Sequence, residues 1–151
     1  REANALGKIA DGDRVWHRLG DAGYLDDQGR FWFCGRVAHR VLTETGPMDT
    51  VPCEAIFNRH PWVRRSALVG IGPAGRQKPV IVVEPVPGRF PRSARNQKEF
   101  SEELLELGKS SHLTAGIGKI LFHRSFPVDI RHNAKIFREK LAAWAARNPS
   151  G

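Results

Sequence analysis

The sequence predicts an α+β fold in which a small mixed or antiparallel sheet is flanked by helices and preceded by a β-hairpin. Residues 66–71 and 80–83 are compact β-branched runs, which are typical of strands buried on both faces. Residues 97–109 and 136–147 carry apolar side chains at helical spacing and predict two amphipathic helices. From residue 40 onward the predicted order is β-α-β-β-α-β-α. With this order of elements, a sheet covered by helices would bury the apolar side of each strand and helix.

The first predicted elements are a short strand and a hairpin. Val15 to Arg18 are predicted to form the strand. Apolar or aromatic runs at Tyr24-Leu25 and at 30–34 flank the sequence Asp26-Asp27-Gln28-Gly29. An Asp and Gly turn between two such runs is typical of a β-hairpin.

An extended segment and a helix are expected next. Residues 40–42 form the extended segment, which Thr45-Gly46-Pro47 is expected to break. Pro52 suits the first turn of a helix, because its absent N–H would have no partner there. His60-Pro61 is expected to end that helix at about Arg59.

The second half of the chain predicts a loop, a strand and the two amphipathic helices. Proline, glycine and arginine dominate residues 85–95, which indicates a loop. Asn96 is the expected N-cap of the helix at 97–109, and Lys119 to Phe122 are expected to form the strand. The apolar faces carry Phe100, Leu104 and Leu107 in the first helix, and Phe137, Leu141 and Trp144 in the second.

Length and composition restrict the class of protein. The chain has 151 residues, of which 40% are hydrophobic and 26% are charged. This suits one average domain or an incomplete piece of a larger protein, and it is too apolar for a disordered chain. No apolar run approaches the roughly 18 residues that span a bilayer, so no transmembrane segment is expected. The two cysteines, Cys34 and Cys53, predict neither a disulfide framework nor a zinc site.

The N-terminal residues and the cysteine content indicate the cellular compartment of the protein. Arg1-Glu2-Ala3-Asn4 lack both the layout of a signal peptide and an initiator Met. The low cysteine content agrees with a reducing compartment. We therefore expect an internal or C-terminal fragment of a cytoplasmic protein.

The net charge of +8 is distributed unevenly along the chain. Residues 1–34 carry a balance of −1, residues 35–95 carry +6 and residues 96–151 carry +3. The sign changes at Gly35-Arg36, which predicts a boundary between two structural units. A basic surface is compatible with simple solubility or with a polyanionic partner such as nucleic acid, phosphate or a membrane face. Nucleic acid is disfavoured, because the candidate arginines neither lie on one periodic helix nor alternate with stacking aromatics. These are Arg59, Arg64, Arg65, Arg89, Arg92 and Arg95.

Two familiar motifs are excluded by their context. Gly70-Ile71-Gly72-Pro73-Ala74-Gly75 has the glycine spacing of a dinucleotide site, but Pro79 and a strand follow it instead of a helix. We expect a hairpin turn there. None of the six histidines has a partner at ligand spacing, so no metal site is predicted.

Two places carry chemistry that is harder to dismiss. Gly20-Asp21 forms a predicted tight turn, and Gly35-Arg36 ends the predicted hairpin. The Asp21 carboxylate could accept hydrogen bonds from a sugar diol, and the Arg36 guanidinium could bind a phosphate. Lys135 lies between a polar loop and the expected start of the last helix, where it could act as a mobile positive charge. Each is weak alone, since Gly-Asp turns and surface lysines at helix starts are both common.

Taken together, these segments resemble the C-terminal portion of the adenylate-forming superfamily, which includes acyl-CoA synthetases, luciferases and the adenylation domains of peptide synthetases. The family signature has an aromatic residue shortly before Arg-Thr-Gly-Asp, then a Gly-Tyr hairpin and then Gly-Arg. The similar residues here are Trp16, Arg18-Leu19-Gly20-Asp21, Gly23-Tyr24-Leu25-Asp26, Gly29 and Gly35-Arg36. The family continues with Val-x-Pro-x-Glu, His-Pro-x-Val and Gly-Lys-Ile-x-Arg segments. The similar residues are Val51-Pro52-Cys53-Glu54, His60-Pro61-Trp62-Val63 and Ala134-Lys135-Ile136-Phe137-Arg138, the last without the glycine.

A closer resemblance, to the β-lactone synthetases of long-chain olefin biosynthesis, rests on three segments. Asp129-Ile130-Arg131-His132-Asn133-Ala134-Lys135 replaces the usual Thr-x-Ser-Gly-Lys, and Cys53 to Asn58 and Ser66 to Gly70 are also similar. The resemblance implies an ATP-dependent, AMP-forming ligase that adenylates a fatty-acid carboxylate, with a β-hydroxy acid then closed to a β-lactone. A long-chain fatty-acid–CoA ligase is the alternative. A basic nucleic-acid or phosphate-binding module without catalysis is the alternative of another class.

The resemblance also implies roles for four positions. Asp21 corresponds to the carboxylate that holds the ribose hydroxyls of the nucleotide, and Arg36 to the arginine on its ribose and phosphate side. Lys135 corresponds to the lysine that contacts the acyl carboxylate and the α-phosphate during adenylation. Ala38 corresponds to the hinge, although most members of the family have Asp or Lys there.

The hinge divides the chain into two parts under this resemblance. Residues 1–37 would be the β-rich end of a large N-terminal adenylation domain, and residues 38–151 a mobile C-terminal lid. ATP with Mg²⁺ would be bound mainly by the large domain, which is missing here, so the chain alone is expected to be inactive. The implied partners are the fatty acyl or β-hydroxy fatty acyl substrate, the protein's own N-terminal domain and other enzymes of the olefin pathway. The loop between Gly35-Arg36 and Val51-Pro52 is two residues longer than the family pattern, which leaves CoA use open.

Overall fold

The structure, a computed structural model, describes residues 8–17, 19–131 and 135–148. Its first part consists of two antiparallel hairpins. The strands are β1 (Lys8–Asp11), β2 (Arg14–His17), β3 (Asp21–Leu25) and β4 (Phe31–Arg36). The β3–β4 hairpin and strand β2 confirm the predictions, except that Arg18 lies outside the described residues. Strand β1 is an additional partner that the sequence pattern did not indicate.

The predicted turn of the β3–β4 hairpin is held together by the carboxylate of Asp26. One carboxylate oxygen accepts hydrogen bonds from the backbone N–H groups of Gln28 (3.0 Å) and Arg30 (2.9 Å). The other accepts from Nε1 of Trp32 at 2.8 Å and from Nε of Arg30 at 2.7 Å. The Trp32 hydrogen bond is the largest cause that lowers the pKa of Asp26 to about 2. The turn is therefore formed by local contacts, which explains why a short sequence motif predicts it.

Large apolar side chains cover the outside of this hairpin. Tyr24, Leu25, Phe31, Trp32 and Phe33 are all exposed. Tyr24 is opposite Trp32 in the register and Leu25 is opposite Phe31, so apolar side chains are exposed on both faces of the hairpin. Exposed apolar surface marks a site of contact with another molecule or another part of the same protein.

A short connection leads from the hairpin into the second part. It contains a 3₁₀ helix (Val37–His39), an antiparallel pair formed by β5 (Val41–Thr43) and β6 (Gly46–Met48), and helix α1 (Thr50–Phe57). The extended segment breaks as predicted, because β5 ends at Thr43 and the chain turns at residues 44–45. Gly46 then begins β6, a strand that the sequence pattern did not indicate. Helix α1 begins two residues before Pro52, which still lies in the first turn, where the missing N–H needs no partner.

The centre of the second part is a mixed three-stranded sheet. Strand β7 (Val63–Ile71) pairs antiparallel with β8 (Lys78–Pro85), and β9 (Ile120–Phe122) pairs parallel with β8. The glycine-rich segment at 70–75 belongs to the β7–β8 hairpin, as predicted. Both long strands are largely buried, which confirms the interpretation of the two β-branched runs.

Helices cover both faces of this sheet. Alternate residues of β7 and β8 point to opposite faces and divide the core into two clusters. On one face the sheet packs with α1 and helix α2 (Ala94–Lys109) through Phe57, Leu68, Ile81, Val83, Phe100 and Leu104. On the other face it packs with helix α3 (Arg138–Arg147) through Ala67, Val69, Val80, Val82, Leu121, Leu141 and Ala145. The predicted α+β class, with a small mixed sheet flanked by helices, is therefore confirmed.

Both later helices begin elsewhere than predicted. Ser93, not Asn96, is the N-cap of α2: its backbone is extended and its hydroxyl accepts a hydrogen bond from the Asn96 N–H at 3.1 Å. Helix α3 starts at Arg138, because Lys135 and Ile136 form a short strand, β11, that pairs with β10 (Val128–Asp129). Lys135 is thus on a strand and not at the start of a helix. None of the described helices is long and apolar enough to cross a membrane.

Candidate functional site

Asp21 and Arg36 face each other at the open end of the β3–β4 hairpin. They are directly opposite in the strand register, and Nε of Arg36 lies 3.0 Å from Oδ1 of Asp21. The Arg36 guanidinium also donates a hydrogen bond to the carbonyl of Leu19, and the Val37 N–H donates to the carbonyl of Gly20 at 2.9 Å. Both charged side chains remain partly exposed. The structure therefore places a carboxylate and a guanidinium side by side at the surface, as the sequence predicted.

Gly35 attaches this end of the hairpin to helix α1. Its φ of +118° lies in the region that L side chains rarely adopt, and an added Cβ would stand 2.6 Å from Oγ1 of Thr50. The backbone of β4 can approach the first turn of α1 this closely only because residue 35 has no side chain. As a result, Arg36 is held at a defined position next to the second part of the chain.

Lys135 lies on β11 and its side chain is exposed. It is opposite Asp129 in the β10–β11 register, and the Phe137 N–H donates to the carbonyl of Pro127 at 2.9 Å just beyond the pair. Within the ranges that the structure describes, no ion pair involves the Lys135 ammonium group. His132, Asn133 and Ala134, which belong to the same predicted motif, lie outside those ranges. Lys135 is therefore a surface cation carried by a short ribbon of two strands.

A buried ion pair fixes the chain directly after Lys135. Both Nη atoms of Arg138 contact the carboxylate of Glu54, with Nη2 to Oε2 at 2.8 Å, and the Leu68 N–H donates to Oε1 of Glu54 at 2.8 Å. The two side chains are only 15% and 10% exposed, respectively. Bidentate guanidinium–carboxylate contacts are strong and directional. The contact joins the Pro52-Cys53-Glu54 segment to the Lys135 motif, two stretches that the sequence singled out separately.

His39 lies within electrostatic range of two of the predicted site residues, Arg36 and Lys135. Burial is the largest cause that lowers the pKa of His39, and the charges of Arg138, Lys135 and Arg36 lower it further, while Glu139 acts in the opposite direction. Cations from β4, β11 and α3 thus lie within electrostatic range of one imidazole in the 3₁₀ helix. His39 belongs to none of the sequence motifs, although its position next to the predicted hinge residue was an available signal.

Ala38, the predicted hinge, lies in the 3₁₀ helix Val37–His39 and is exposed. Together with His39 it lines a cleft of about 160 Å³, to which Arg138 and Glu139 of α3 also contribute. The connection between the two parts of the chain therefore runs past the start of the helix that follows Lys135.

The two cysteines do not add a nucleophile to this region. Both are free and buried. Burial is the main cause that raises the pKa of Cys34 and raises that of Cys53 to about 11. A thiol with so high a pKa stays protonated near neutral pH and is a poor nucleophile.

Four of the six arginines considered for a basic face have partners within the chain. Arg64 and Arg65 contact Glu84, and Arg95 pairs with Glu99 at 2.8 Å. Arg89 lies over the ring of Trp62, 4.5 Å from its centroid. Within the described ranges, no group of three or more His, Cys, Asp and Glu residues could hold a metal ion. The region around His39 contains one carboxylate that can accept hydrogen bonds from hydroxyl groups, that of Asp21. It also contains two cations, Arg36 and Lys135.

Known proteins of similar sequence include two enzymes that match nearly the whole chain. No protein-family model matches the chain. The chain is 53% identical over 148 residues to an olefin β-lactone synthetase from Xanthomonas campestris pv. campestris, and 49% identical over 150 residues to one from Stenotrophomonas maltophilia. These matches include 97% and 96% of this chain but 26% of each relative, so the chain spans about a quarter of their length. A 4-chlorobenzoate–CoA ligase from Arthrobacter is 41% identical over 70 residues, which is 46% of this chain and 13% of that ligase.

Solved structures share the fold. An amide bond synthetase from Marinactinospora thermotolerans matches with a TM-score of 0.73 at 24% identity, over 95% of this chain and 26% of that protein. O-succinylbenzoate coenzyme A synthetase from Bacillus subtilis, in complex with AMP, matches with a TM-score of 0.70 at 21% identity, over 92% of this chain and 26% of that protein. The resemblance found in the sequence motifs is confirmed by these relatives. In sequence and in fold, the chain is similar to the C-terminal portion of members of the adenylate-forming superfamily.

Proposed function

We propose that this chain is part of an ATP-dependent, AMP-forming enzyme that adenylates the carboxylate of a fatty acid. We further propose that the acid carries a β-hydroxyl group and is closed to a β-lactone. The observation that supports this most strongly is the identity of about one half to two olefin β-lactone synthetases over nearly the whole chain. The grouping of Asp21, Arg36 and Lys135 around His39 agrees with it.

In the first step the acid attacks the α-phosphorus of ATP, the new carboxylate–phosphate bond forms and pyrophosphate leaves. The step brings two anions together, and a cation supplied at that moment offsets their repulsion. We assign that cation to the exposed Lys135 ammonium group. Asp21 is positioned to accept hydrogen bonds from the ribose hydroxyls and Arg36 to contact the phosphate side.

The nucleotide enters as its Mg²⁺ complex, which is a substrate. We propose that the preceding part of the protein binds most of this complex, and that the chain alone does not form an adenylate. Under this proposal residues 1–37 end the large domain and residues 38–151 form the lid, with Ala38 as the hinge between them. The exposed apolar side chains of the β3–β4 hairpin and the change in charge at Gly35-Arg36 support that division. We also propose a cytoplasmic location, and contacts with other enzymes of olefin biosynthesis.

In the second step the β-hydroxyl oxygen of the acyl adenylate attacks the acyl carbon. The ring C–O bond forms, the bond from the acyl carbon to the phosphate oxygen breaks, AMP leaves, and the hydroxyl proton passes to solvent or a base. Both reacting groups belong to one molecule, so no second substrate has to be captured. A fatty-acid–CoA ligase is the competing function. The similarity over 70 residues to a 4-chlorobenzoate–CoA ligase supports the use of CoA in that alternative.

The experiment that separates the two functions uses the complete enzyme. A β-hydroxy fatty acid and ATP are supplied with and without CoA, and AMP, pyrophosphate, lactone and thioester are quantified. We expect lactone and AMP in equal amounts, at a rate that CoA does not change. A CoA thioester as the main product would exclude the lactone function, and the absence of pyrophosphate release would exclude adenylation.

A further inference from the structure

Glu84 is a buried carboxylate at the end of β8 that the sequence motifs do not include. It is 1% exposed, and its two oxygens have four contacts. Nη1 of Arg64 lies 2.9 Å from Oε1, while Nε and Nη2 of Arg65 lie 3.0 Å and 2.8 Å from Oε2. Oε2 also accepts a hydrogen bond of 2.6 Å from the backbone N–H of Phe126. Two guanidinium groups thus balance its charge, and one backbone group of a distant segment is bound to it.

The backbone group that Glu84 binds begins the segment that carries Lys135. Phe126 follows strand β9 and is buried in the core on the α3 side of the sheet, with the guanidinium of Arg65 5.3 Å from its ring centroid. The next residue, Pro127, accepts the hydrogen bond from Phe137 that closes the β10–β11 ribbon. The ribbon therefore starts at a residue held by Glu84, and it ends next to Arg138, which Glu54 holds.

Stability alone is a weak explanation for this arrangement. Buried ion pairs often add little net stability, because removing the charges from water offsets the attraction between them. The Arg64 side chain is 57% exposed and has no need of a buried partner. What an apolar residue could not replace at position 84 is the acceptor for the Phe126 N–H.

We propose that Glu84 is a positioning residue for Lys135. By holding the Phe126 N–H it fixes the start of the β10–β11 ribbon, and thereby the place where the Lys135 ammonium group meets the reacting carboxylate and phosphate. This rests on the proposed role of Lys135 in adenylation. A displacement of about 1 Å at a reacting group can slow a reaction by about 10²-fold, so a partial loosening is expected to cost about 10-fold.

Three variants of the complete enzyme test this inference. Glu84→Gln keeps an oxygen that can accept from Phe126. Its amide NH₂ cannot accept from Arg64, whose exposed side chain can turn to solvent, so the variant should stay within about 3-fold of the wild-type adenylation rate. Glu84→Leu removes the acceptor and should be slower by about 10-fold. Glu84→Leu combined with Arg65→Met also removes the less exposed of the two cations left unpaired, so it should be more stable than Glu84→Leu and remain about as slow. Glu99→Gln, which removes the exposed ion pair with Arg95, is the matched control and should leave the rate unchanged.

Two further measurements distinguish positioning from a general loss of structure. The KM for ATP should be unchanged, and a supplied acyl adenylate should be converted to product at the wild-type rate, because only the first step uses Lys135. Hydrogen exchange should accelerate at residues 126–137 in the two Leu variants and stay unchanged at residues 69–71 and 78–80, the end of the β7–β8 hairpin away from Glu84. A wild-type adenylation rate in the double variant would overturn the inference. If the wild-type enzyme forms no adenylate, the proposed function is wrong, and hydrogen exchange still decides whether Glu84 holds the ribbon.

Discussion

Removal of the Glu54 carboxylate should be among the most damaging single changes in the chain. In Glu54→Ala the guanidinium of Arg138, 15% exposed, loses both of its carboxylate contacts, and the Leu68 N–H loses its side-chain acceptor. Breaking a buried ion pair from one side costs about 3–5 kcal/mol, which includes the charge left without a partner. We therefore expect the free energy of unfolding to fall by about 4 kcal/mol. For a chain of this length that lowers the Tm by about 10 °C.

The assay is a double-mutant cycle on the unfolding free energy of the chain. Denaturant titrations, monitored by circular dichroism, compare the wild type with Glu54→Ala, Arg138→Ala and the combined variant. Because either single change leaves the other group buried and unpaired, the combined variant should lose at least about 2 kcal/mol less than the sum of the two. The exposed Arg95–Glu99 pair is the matched control, and Glu99→Ala should change the stability by no more than about 1 kcal/mol. Additive effects of the two single changes would refute the reasoning, since they would show that Glu54 and Arg138 do not interact.

Three other predictions follow from the site. Lys135→Ala in the complete enzyme should lower the rate of ATP-dependent pyrophosphate release by about 10²-fold, while binding of ATP is retained, and an unchanged rate would exclude the assigned role. Burial lowers the pKa of both His39 and His123, so as the pH falls below about 6.5 the unfolded chain takes up protons first. The unfolding free energy should accordingly be constant above about pH 7.5 and decline toward about pH 5.5, and His39→Gln should make the decline shallower. Gly35→Ala should destabilise the chain by about 1–3 kcal/mol, because the φ of +118° and the contact with Thr50 both oppose a Cβ, and Thr50→Ala in the same chain should restore only part of the loss.

The elements that the sequence predicted well are those formed by local interactions. The turn at Asp26 is closed by hydrogen bonds within six residues, so its composition is enough to predict it. The two buried strands are evident from continuous β-branched runs. By contrast, β6 was missed because Gly46 and Pro47 resemble a break, although proline is tolerated in a short strand at a sheet edge.

The start of α2 was misplaced because two candidate N-caps, Ser93 and Asn96, lie three residues apart, and only the backbone geometry decides between them. In the candidate site, too, local sequence is not enough, because the contacts join residues that are far apart in the chain. The sequence identified Lys135 and its motif, but whether Lys135 begins a helix or joins a strand depends on pairing with β10. The contact between Glu54 and Arg138 spans 84 residues, and that between Glu84 and Phe126 spans 42. No local pattern can reveal which carboxylate meets which partner over such distances.

The charges around the 3₁₀ helix Val37–His39 support our proposal that Lys135 is the cation of the adenylation step. Besides Arg40, which is paired with Asp49, four basic groups lie in this region, and three of the four are already neutralised. Arg36 is paired with Asp21, Arg138 is paired with Glu54, and His39 stays neutral because burial and the neighbouring cations lower its pKa. Within the described part of the chain, Lys135 alone of the four keeps an uncompensated charge. Of these groups, an anion that approaches this surface therefore meets one cation that gives up no existing ion pair on binding. That cation lies on a ribbon whose two ends are fixed by the buried carboxylates of Glu84 and Glu54.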